Sequence, residues 1–493
     1  MKNIYSILTI MITMAIFTSC EDFLVENPSY ALPSNESVKT VTDLQNAVNG
    51  VYARISYSGS LSFYAGDFIA LGDLRADDMT YNDQLNANAI SPVARFQYDK
   101  NSAYSENFWS APYTTLGRIN DILSVTDNLT VLSGEEDTFT DLVGQLYGMR
   151  ALCHFDLVRT FAQLPKALHD GMTLNTPDGG IPIADQVFPV EYKPVRNTIG
   201  EVYDFILADF DRAISRLNPA PAIANSYGAL NIWAARALKA RAQLYYGNYP
   251  QALSLAEEVI NGAGASGFRL AEFSEITSIW NKVQQPEFLF ELIVNVTYNA
   301  QRNSIGYYSN PDGYGEFVLS ENFYNYLLFD NPADFRKFLA VEKSSQQGTG
   351  TDYYPLKYPG REVETASGGM EVNTYVNNPR VIRMAEVYLI ASEAGFHDGN
   401  QTKAAEHLNA LRSKRIAGVA ALTTVTLDDI LNERRKELFA EGHRSWDVWR
   451  NKRSLVNDDF GGATVNYDNY RTLVPIPQRE TDISPDLKQN PEW

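Results

Sequence analysis

Between Ala234 and Ala252 the chain reads Ala-Ala-Arg-Ala-Leu-Lys-Ala-Arg-Ala-Gln-Leu-Tyr-Tyr-Gly-Asn-Tyr-Pro-Gln-Ala, and this run limits the fold more than any other. Alanine is the strongest helix former, and its small methyl lets a second helix approach closely. Gly247 releases the first helix, and Tyr249 with Ala252 starts the next. A chain with this stretch is committed locally to two helices packed across a short turn.

Gly-x-Tyr-x-x-Ala between two helices looks like a tetratricopeptide unit. A similar pair recurs later. Val381 to Ala394 forms one helix, Asp398-Gly399-Asn400 the turn, and Ala404, Leu408 and Leu411 the inner face of the next. Thr426 caps a further helix carrying Leu427, Ile430, Leu431 and Leu438, with Gly442 at its exit. Upstream, a helix is expected over Val41–Ile55, and helical spacing returns at Trp109, Tyr113, Leu116 and Ile119. The clearest amphipathic stripe is Leu142, Leu146, Met149, Cys153 and Leu157, stopped by Pro165. Val202, Phe205, Ile206, Phe210, Ala213 and Leu217 form its antiparallel partner across a long loop, stopped by Pro219.

The fold class is therefore mostly α, with tetratricopeptide-like helix pairs stacked into a superhelical scaffold. The scaffold is assigned to about 36–58, 104–262 and 380–457. Residues 60–103 lack a sustained period, and 265–380 are rich in Tyr, Asn, Gly, Pro and Ser with one strand-like run, Phe288–Val296. So long a stretch without helical period is rarely idle in a compact domain. Ligand contacts are expected in these two loop-rich regions, with a few short strands, and not on the helices.

The N-terminus sets the compartment. Lys2 precedes an apolar run from Ile7 to Phe17 that ends at Thr18-Ser19-Cys20. A charged start, a short apolar core and small residues at the exit describe a secretory signal peptide, too short for a membrane-spanning helix. A cysteine directly after the small pair makes it resemble a bacterial lipoprotein signal, with Cys20 as the lipidated first residue. An ordinary signal peptide with an incidental cysteine is the alternative. Residues 1–19 are then the signal, 20–35 a polar tether, and 36–493 a single domain.

Net charge is −19, from 60 acidic and 41 basic residues, and loss of Lys2 takes it to −20. Such a balance argues against nucleic acid and against adhesion to anionic lipid. Cys153 sits among Leu146, Met149, Leu157 and Phe161 and reads as core filler. His154, His169, His397, His407 and His443 are dispersed, without HExxH or other ligand spacing, and neither G-x-S-x-G nor a phosphate-cradling glycine loop is present. No catalytic residue, metal or cofactor is assigned. A pair of carboxylates distant in sequence could still cleave glycans, so a surface hydrolase stays as a rival reading. The charged group Glu433, Arg434, Arg435, Glu437, Glu441, His443, Arg444 and Asp447 is read as scaffold, made of surface ion pairs that fix a helix to its neighbours.

Two polar, aromatic stretches suit ligand binding. The first is Tyr81-Asn82-Asp83-Gln84 after Asp77-Asp78, followed by Phe96 and Tyr98. The second runs from Asn295 through Tyr298, Asn299, Gln301, Arg302, Tyr307, Tyr308, Asn310 and Asp312 to Tyr314. A sugar presents an apolar C–H face and polar edges, so aromatics beside amides and carboxylates are the chemistry that recognises it. Trp109, Trp446 and Trp449 fall at apolar helix positions and are assigned to the core.

The residues resemble those of the RagB/SusD family, surface lipoproteins that work with TonB-dependent transporters in nutrient uptake. The likeness begins at Cys20-Glu21-Asp22-Phe23-Leu24 and Pro28. It continues through Arg150-Ala151, Phe155, Leu157, Leu164-Pro165, Val202-Tyr203, Ile206, Asp209 and Ala213. It is most specific from Arg383 to Ala394, at Leu408-Asn409-Ala410-Leu411-Arg412, at Glu433-Arg434-Arg435-Lys436-Glu437-Leu438, at Glu441 to Arg444 and at Trp446-Asp447-Val448-Trp449-Arg450. Pro475-Ile476-Pro477, Glu480 and Gln489-Asn490-Pro491 close it. Ala162, where the family often has glycine, departs from the pattern and bears only on a local turn.

The resemblance implies a non-enzymatic protein, lipid-anchored through Cys20 on the extracellular face of the outer membrane. It implies that the protein binds oligosaccharides or polysaccharides and delivers them to a SusC-like TonB-dependent transporter. The family's sugar-stacking residues lie in loops equivalent to the two above, which makes Tyr81, Asn82, Tyr298, Tyr307, Tyr308 and Tyr314 the candidate ligand-binding residues. The acidic balance favours a neutral glycan, unless a basic patch near Arg302 and Arg336 reverses it. A lipid-anchored helical-repeat adaptor that binds only protein or peptide is the alternative from another class.

Overall fold

The computed structural model describes residues 37–57, 62–83, 87–225, 227–345, 350–364 and 368–493. The signal, Cys20, the tether and Gln84 lie outside these residues.

Helix α1 (Val41–Ser56) opens with a capping box, in which Thr40 and Asp43 satisfy each other's backbone N–H. A π-turn at Phe63–Asp67 runs into α2 (Phe68–Leu74). Then come α3 (Ala103–Leu123), α4 (Glu136–Phe161), α5 (Ile199–Ile214), α6 (Ile232–Tyr246) and α7 (Tyr249–Gly262). After a long insertion the helices resume with α8 (Met384–His397), α9 (Gln401–Ser413), α10 (Leu427–Leu438) and α11 (Arg444–Arg450).

Packing follows chain order. Helix α1 packs on α3, α3 on α4, α4 on α5, α5 on α6 and α6 on α7. Helix α7 then packs on α8, and α8 on α9 and α10, so the stack closes over the insertion as if 263–383 were absent. This is the tetratricopeptide-like superhelix expected of the sequence. At its centre Gly247 takes φ +89°, the left-handed conformation that stops α6 and lets α7 fold back. Gly148 on α4 serves close packing. A Cβ there would lie 2.2 Å from Leu230 Cδ2, so a larger residue would force the Leu230 side chain to shift.

Several boundaries depart from the sequence reading. The region 60–103 holds the buried helical stretch Phe63–Leu74, every residue of which is covered. A helix buried on all sides shows no amphipathic period, which hid it. Residues Arg380–Arg383 are a strand, so the helix expected from Val381 begins at Met384. The strand expected over Phe288–Val296 is shorter, Phe288–Glu291. Helix α10 ends at Leu438, four residues before Gly442.

The insertion carries most of the strands. With β1 (Met79–Tyr81) they are β2 (Phe288–Glu291), β3 (Phe317–Leu319), β4 (Ala340–Ser344), β5 (Thr351–Pro355), β6 (Arg361–Glu364), β7 (Met370–Asn373) and β8 (Arg380–Arg383). They pair antiparallel as β1–β3, β2–β8, β4–β5 and β6–β7. No extended sheet forms among the described residues.

A buried ionic lattice joins insertion to stack. Arg383 donates to Glu287 at 2.6 Å, to Glu437 at 2.7 Å and to Glu441 at 2.8 Å. Arg415 bridges Glu287 and Glu437, Arg336 binds Asp334, Glu433 and Glu437, and Lys357 reaches Glu441 at 2.6 Å. Their side chains are at most 4 % exposed. The charged motif around Glu433–Asp447 is thus scaffold, but buried, and not the set of surface pairs expected. Its partners come from segments far away in sequence, which helix spacing cannot reveal. Arg336 belongs to this lattice, so it adds nothing to an exposed basic patch with Arg302.

Candidate functional site

Strand β1, which ends on Tyr81 of the first stretch, pairs with β3, which begins three residues after Tyr314 ends the second, with Met79 opposite Leu319 and Tyr81 opposite Phe317. The Asn82 N–H donates to the Glu316 carbonyl at 2.9 Å and extends the ladder by one residue. The buried Glu316 carboxylate then accepts from the N–H groups of Ala89 and Ile90, fixing the return of the first loop.

Tyr81 is buried. Its N–H donates to Asp459 at 2.8 Å, its hydroxyl reaches Asn88 at 3.1 Å, and the Arg95 guanidinium lies 5.2 Å from the ring centre. Phe96 and Tyr98 are buried as well. Tyr81 therefore anchors its loop and offers no ring face to a ligand, because strand alternation turns it inward. Asn82 is half-buried beside Asp352.

The second loop is tightly built. Asn295 Oδ1 accepts from the N–H of Thr297 and Tyr298, an Asx turn, and the Tyr298 hydroxyl donates to the Ala53 carbonyl at 2.8 Å at the end of α1. Tyr298 is thus half-buried with its polar tip committed, its ring edge-on to Tyr57. Ser304 caps the short helix Ile305–Ser309. Tyr308 is buried there and donates to Asp67 at 3.1 Å. Burial pushes the Asp67 carboxyl up to about 7, so that under the loop it exchanges its proton near neutral pH.

Tyr307 and Tyr314 remain partly exposed. Their rings meet edge-on with centres 4.8 Å apart, and Tyr375 joins Tyr307 at 5.3 Å. The Tyr314 N–H donates to the Tyr307 carbonyl at 3.0 Å, while the Tyr314 ring stacks at 16° to that of buried Tyr308. Exposed Arg302 lies close to Tyr307, Tyr375 and Tyr314, and these phenols, Tyr307 first, favour its charged form and raise its pKa. Glycines make the closeness possible. A Cβ on Gly313 would lie 2.4 Å from the Tyr307 carbonyl oxygen, and one on Gly306 2.1 Å from Asn377 Nδ2. The result is a rigid platform of three phenol rings and one guanidinium at the protein surface. Tyr375 was not singled out in the sequence; its only signal is the Asn373-Thr374-Tyr375 turn, where Asn373 Oδ1 accepts the Tyr375 N–H.

Two family models match the chain: "SusD family" over residues 329–493, and "Starch-binding associating with outer membrane" over 22–244. A solved Bacteroides vulgatus structure titled a putative sugar binding protein is 30% identical, covers 93% of this chain and 99% of its own, and superposes with a TM-score of 0.80. The chain belongs to the RagB/SusD family. Another SusD superfamily structure from Bacteroides vulgatus is 29% identical over 92% of this chain and 99% of that one, with a TM-score of 0.81. SusD-like protein P2 of Formosa agariphila is 25% identical over 98% of each chain. A laminarin-binding SusD-like protein, 21% identical with a TM-score of 0.71, shares the fold over 92% of this chain. The SusD-type helical stack is thus the frame on which the tyrosine platform is carried. Among its described residues no helix is long and apolar enough to cross a membrane.

Proposed function

We propose that this SusD-family protein binds glycan chains on the Tyr307–Tyr314–Tyr375 platform and hands them to a TonB-dependent outer-membrane transporter. The observation that carries the binding step is the platform itself: partly exposed rings beside a guanidinium, held by a backbone without slack. Aromatic faces take the C–H face of a sugar, Arg302 and the exposed Asp312 take hydroxyls at its edge, and little ordering entropy is lost because the rings are already positioned. Tyr298, whose hydroxyl is held by the Ala53 carbonyl, and Asn82, beside Asp352, are not counted in this platform. Tyr308 acts underneath as a support, stacked on Tyr314, and Tyr81 anchors its own loop.

Support for a sugar ligand comes from the starch-binding family description and from the sugar-binding and laminarin-binding relatives. In this reading the chain performs no bond cleavage; lipidation at Cys20 keeps it at the outer membrane, and the transporter supplies the route inward. Affinity electrophoresis of the purified protein through gels containing starch, laminarin and other polysaccharides tests the reading. Retardation by at least one glycan, reduced by Tyr307→Ala, is expected. Absence of retardation by every glycan would move the ligand to a peptide or the protein to a pure adaptor. Release of reducing ends that stops on a single carboxylate change would make it a hydrolase.

A further inference from the structure

A second aromatic cleft lies away from the platform, along α3. Its hollow of about 430 Å³ is lined by Trp109, Tyr113, Phe188 and Tyr192, with Ser110 and Glu480 at the edge. A neighbouring hollow of about 500 Å³ continues along the same helix, lined by Asn120, Ser124, Tyr147, Arg150 and Arg212. Trp109 and Asn120 are 11 residues apart, about three turns or 16 Å, and so share one helix face. The segment 182–187 forms the opposite wall of both.

That wall is fixed in place. The Tyr113 hydroxyl donates to the Pro182 carbonyl at 2.8 Å, and Asn120 Nδ2 donates to the carbonyls of Ala184 and Gln186 at 3.0 and 3.1 Å. The Ala184 N–H donates to His154 Nε2 at 3.0 Å, while His154 Nδ1 faces the Arg150 carbonyl. Phe188 and Tyr192 stack with centres 4.0 Å apart and planes at 10°, and Tyr192 is 41 % exposed. Each hollow has the size of a small-ligand site, and each mixes ring faces with convergent polar groups.

We infer that this track is a second glycan-binding site, with the Phe188–Tyr192 hollow stacking one sugar ring and the Asn120–Arg212 hollow hydrogen-bonding the next part of the same chain. The sugar class of the ligand rests on the proposed function; the site itself does not use the platform residues. Exposed Val187 at the rim and nearby Val190 offer area to an apolar protein partner, but Asp185, Gln186 and Arg212, which line the second hollow, would lose water to such a partner without gaining hydrogen bonds.

Affinity electrophoresis of the full-length protein against a retarding polysaccharide separates the outcomes. The Tyr307→Ala, Tyr375→Ala double variant is expected to keep weaker retardation, and adding Tyr192→Ala to remove the remainder, weakening that residual binding about tenfold or more. Thr114→Trp, which fills the first hollow from an exposed helix position, is expected to do the same without deleting a ring. Circular dichroism melting checks that both variants fold. Complete loss of retardation in the platform variant alone overturns the second site and leaves the proposed function standing. Residual retardation that survives both Tyr192→Ala and Thr114→Trp also overturns it. A wild-type protein retarded by no glycan overturns both readings.

Discussion

Arg383 donates to the Glu441 carboxylate through two nitrogens, Nε to Oε2 and Nη2 to Oε1, each at 2.8 Å. The pair joins strand β8 of the insertion to the turn after α10, and neither side chain is more than 4 % exposed. Burial alone would raise the Glu441 pKa, yet Arg383 and Lys357 outweigh it and hold the carboxyl below its usual range. Glu441→Gln leaves two buried cations short of a partner. It should destabilise the fold by about 3–5 kcal/mol, read as a lower denaturant midpoint, whereas removal of the exposed pair Arg269–Glu275 should cost about 1 kcal/mol or less.

Burial pulls His154 and His443 down to about 4, well below the 6.5 of a free imidazole. The unfolded chain therefore binds protons between pH 6.5 and 4 that the folded chain refuses. Stability contributed by these neutral rings is full above pH 6.5 and falls as pH drops through that window. Chemical denaturation at pH 7.5 and 5 should show the loss, and His154→Gln should reduce its slope.

Asp67 has the opposite sign. Its folded pKa of about 7 exceeds the unfolded 3.8, so its contribution is full below about pH 4 and declines as pH rises through 7. Asp67→Asn keeps an acceptor for the Tyr308 hydroxyl without a charge to bury, and should gain about 2–4 kcal/mol relative to wild type on moving from pH 4 to pH 8. Parallel stability curves for the two proteins over that range would refute the assignment.

Glycine positions discriminate platform from bystander. Gly313→Ala drives a Cβ against the Tyr307 carbonyl and should disrupt the rings, lowering glycan retardation as much as Tyr307→Ala does. Gly264→Ala meets no atom within 4 Å and should leave retardation unchanged.

Tyr81 and Tyr307 looked alike as sequence and separate by experiment. Tyr81→Ala removes a buried ring and its hydroxyl contacts, and should lower the melting temperature by several degrees, the effect of about 3–5 kcal/mol in a domain of this size. Tyr307→Ala should leave melting nearly unchanged while weakening glycan binding about tenfold.

The helix pairs were legible because their signals are local. Ala234–Ala252, the Gly247 stop, the Thr426 cap and the Leu142–Leu157 stripe each act within one or two turns, where the energetics of helix start, stop and facing are decided. The two candidate loops stood out by composition, since Tyr among Asn, Gly and Asp is unusual in a scaffold. Which tyrosines face solvent was not. The pairing of β1 with β3 turns Tyr81 inward and Asp67 takes the Tyr308 hydroxyl, while Tyr307 and Tyr314 are left at the surface to meet Tyr375 from another segment. Likewise the charges near Glu437 announced themselves in the sequence, but their burial depended on Arg336, Arg383, Arg415 and Glu287, brought in from distant segments. Local propensity and periodicity belong to the chain alone; exposure and ion pairing belong to contacts between segments far apart, and only the folded molecule assembles those.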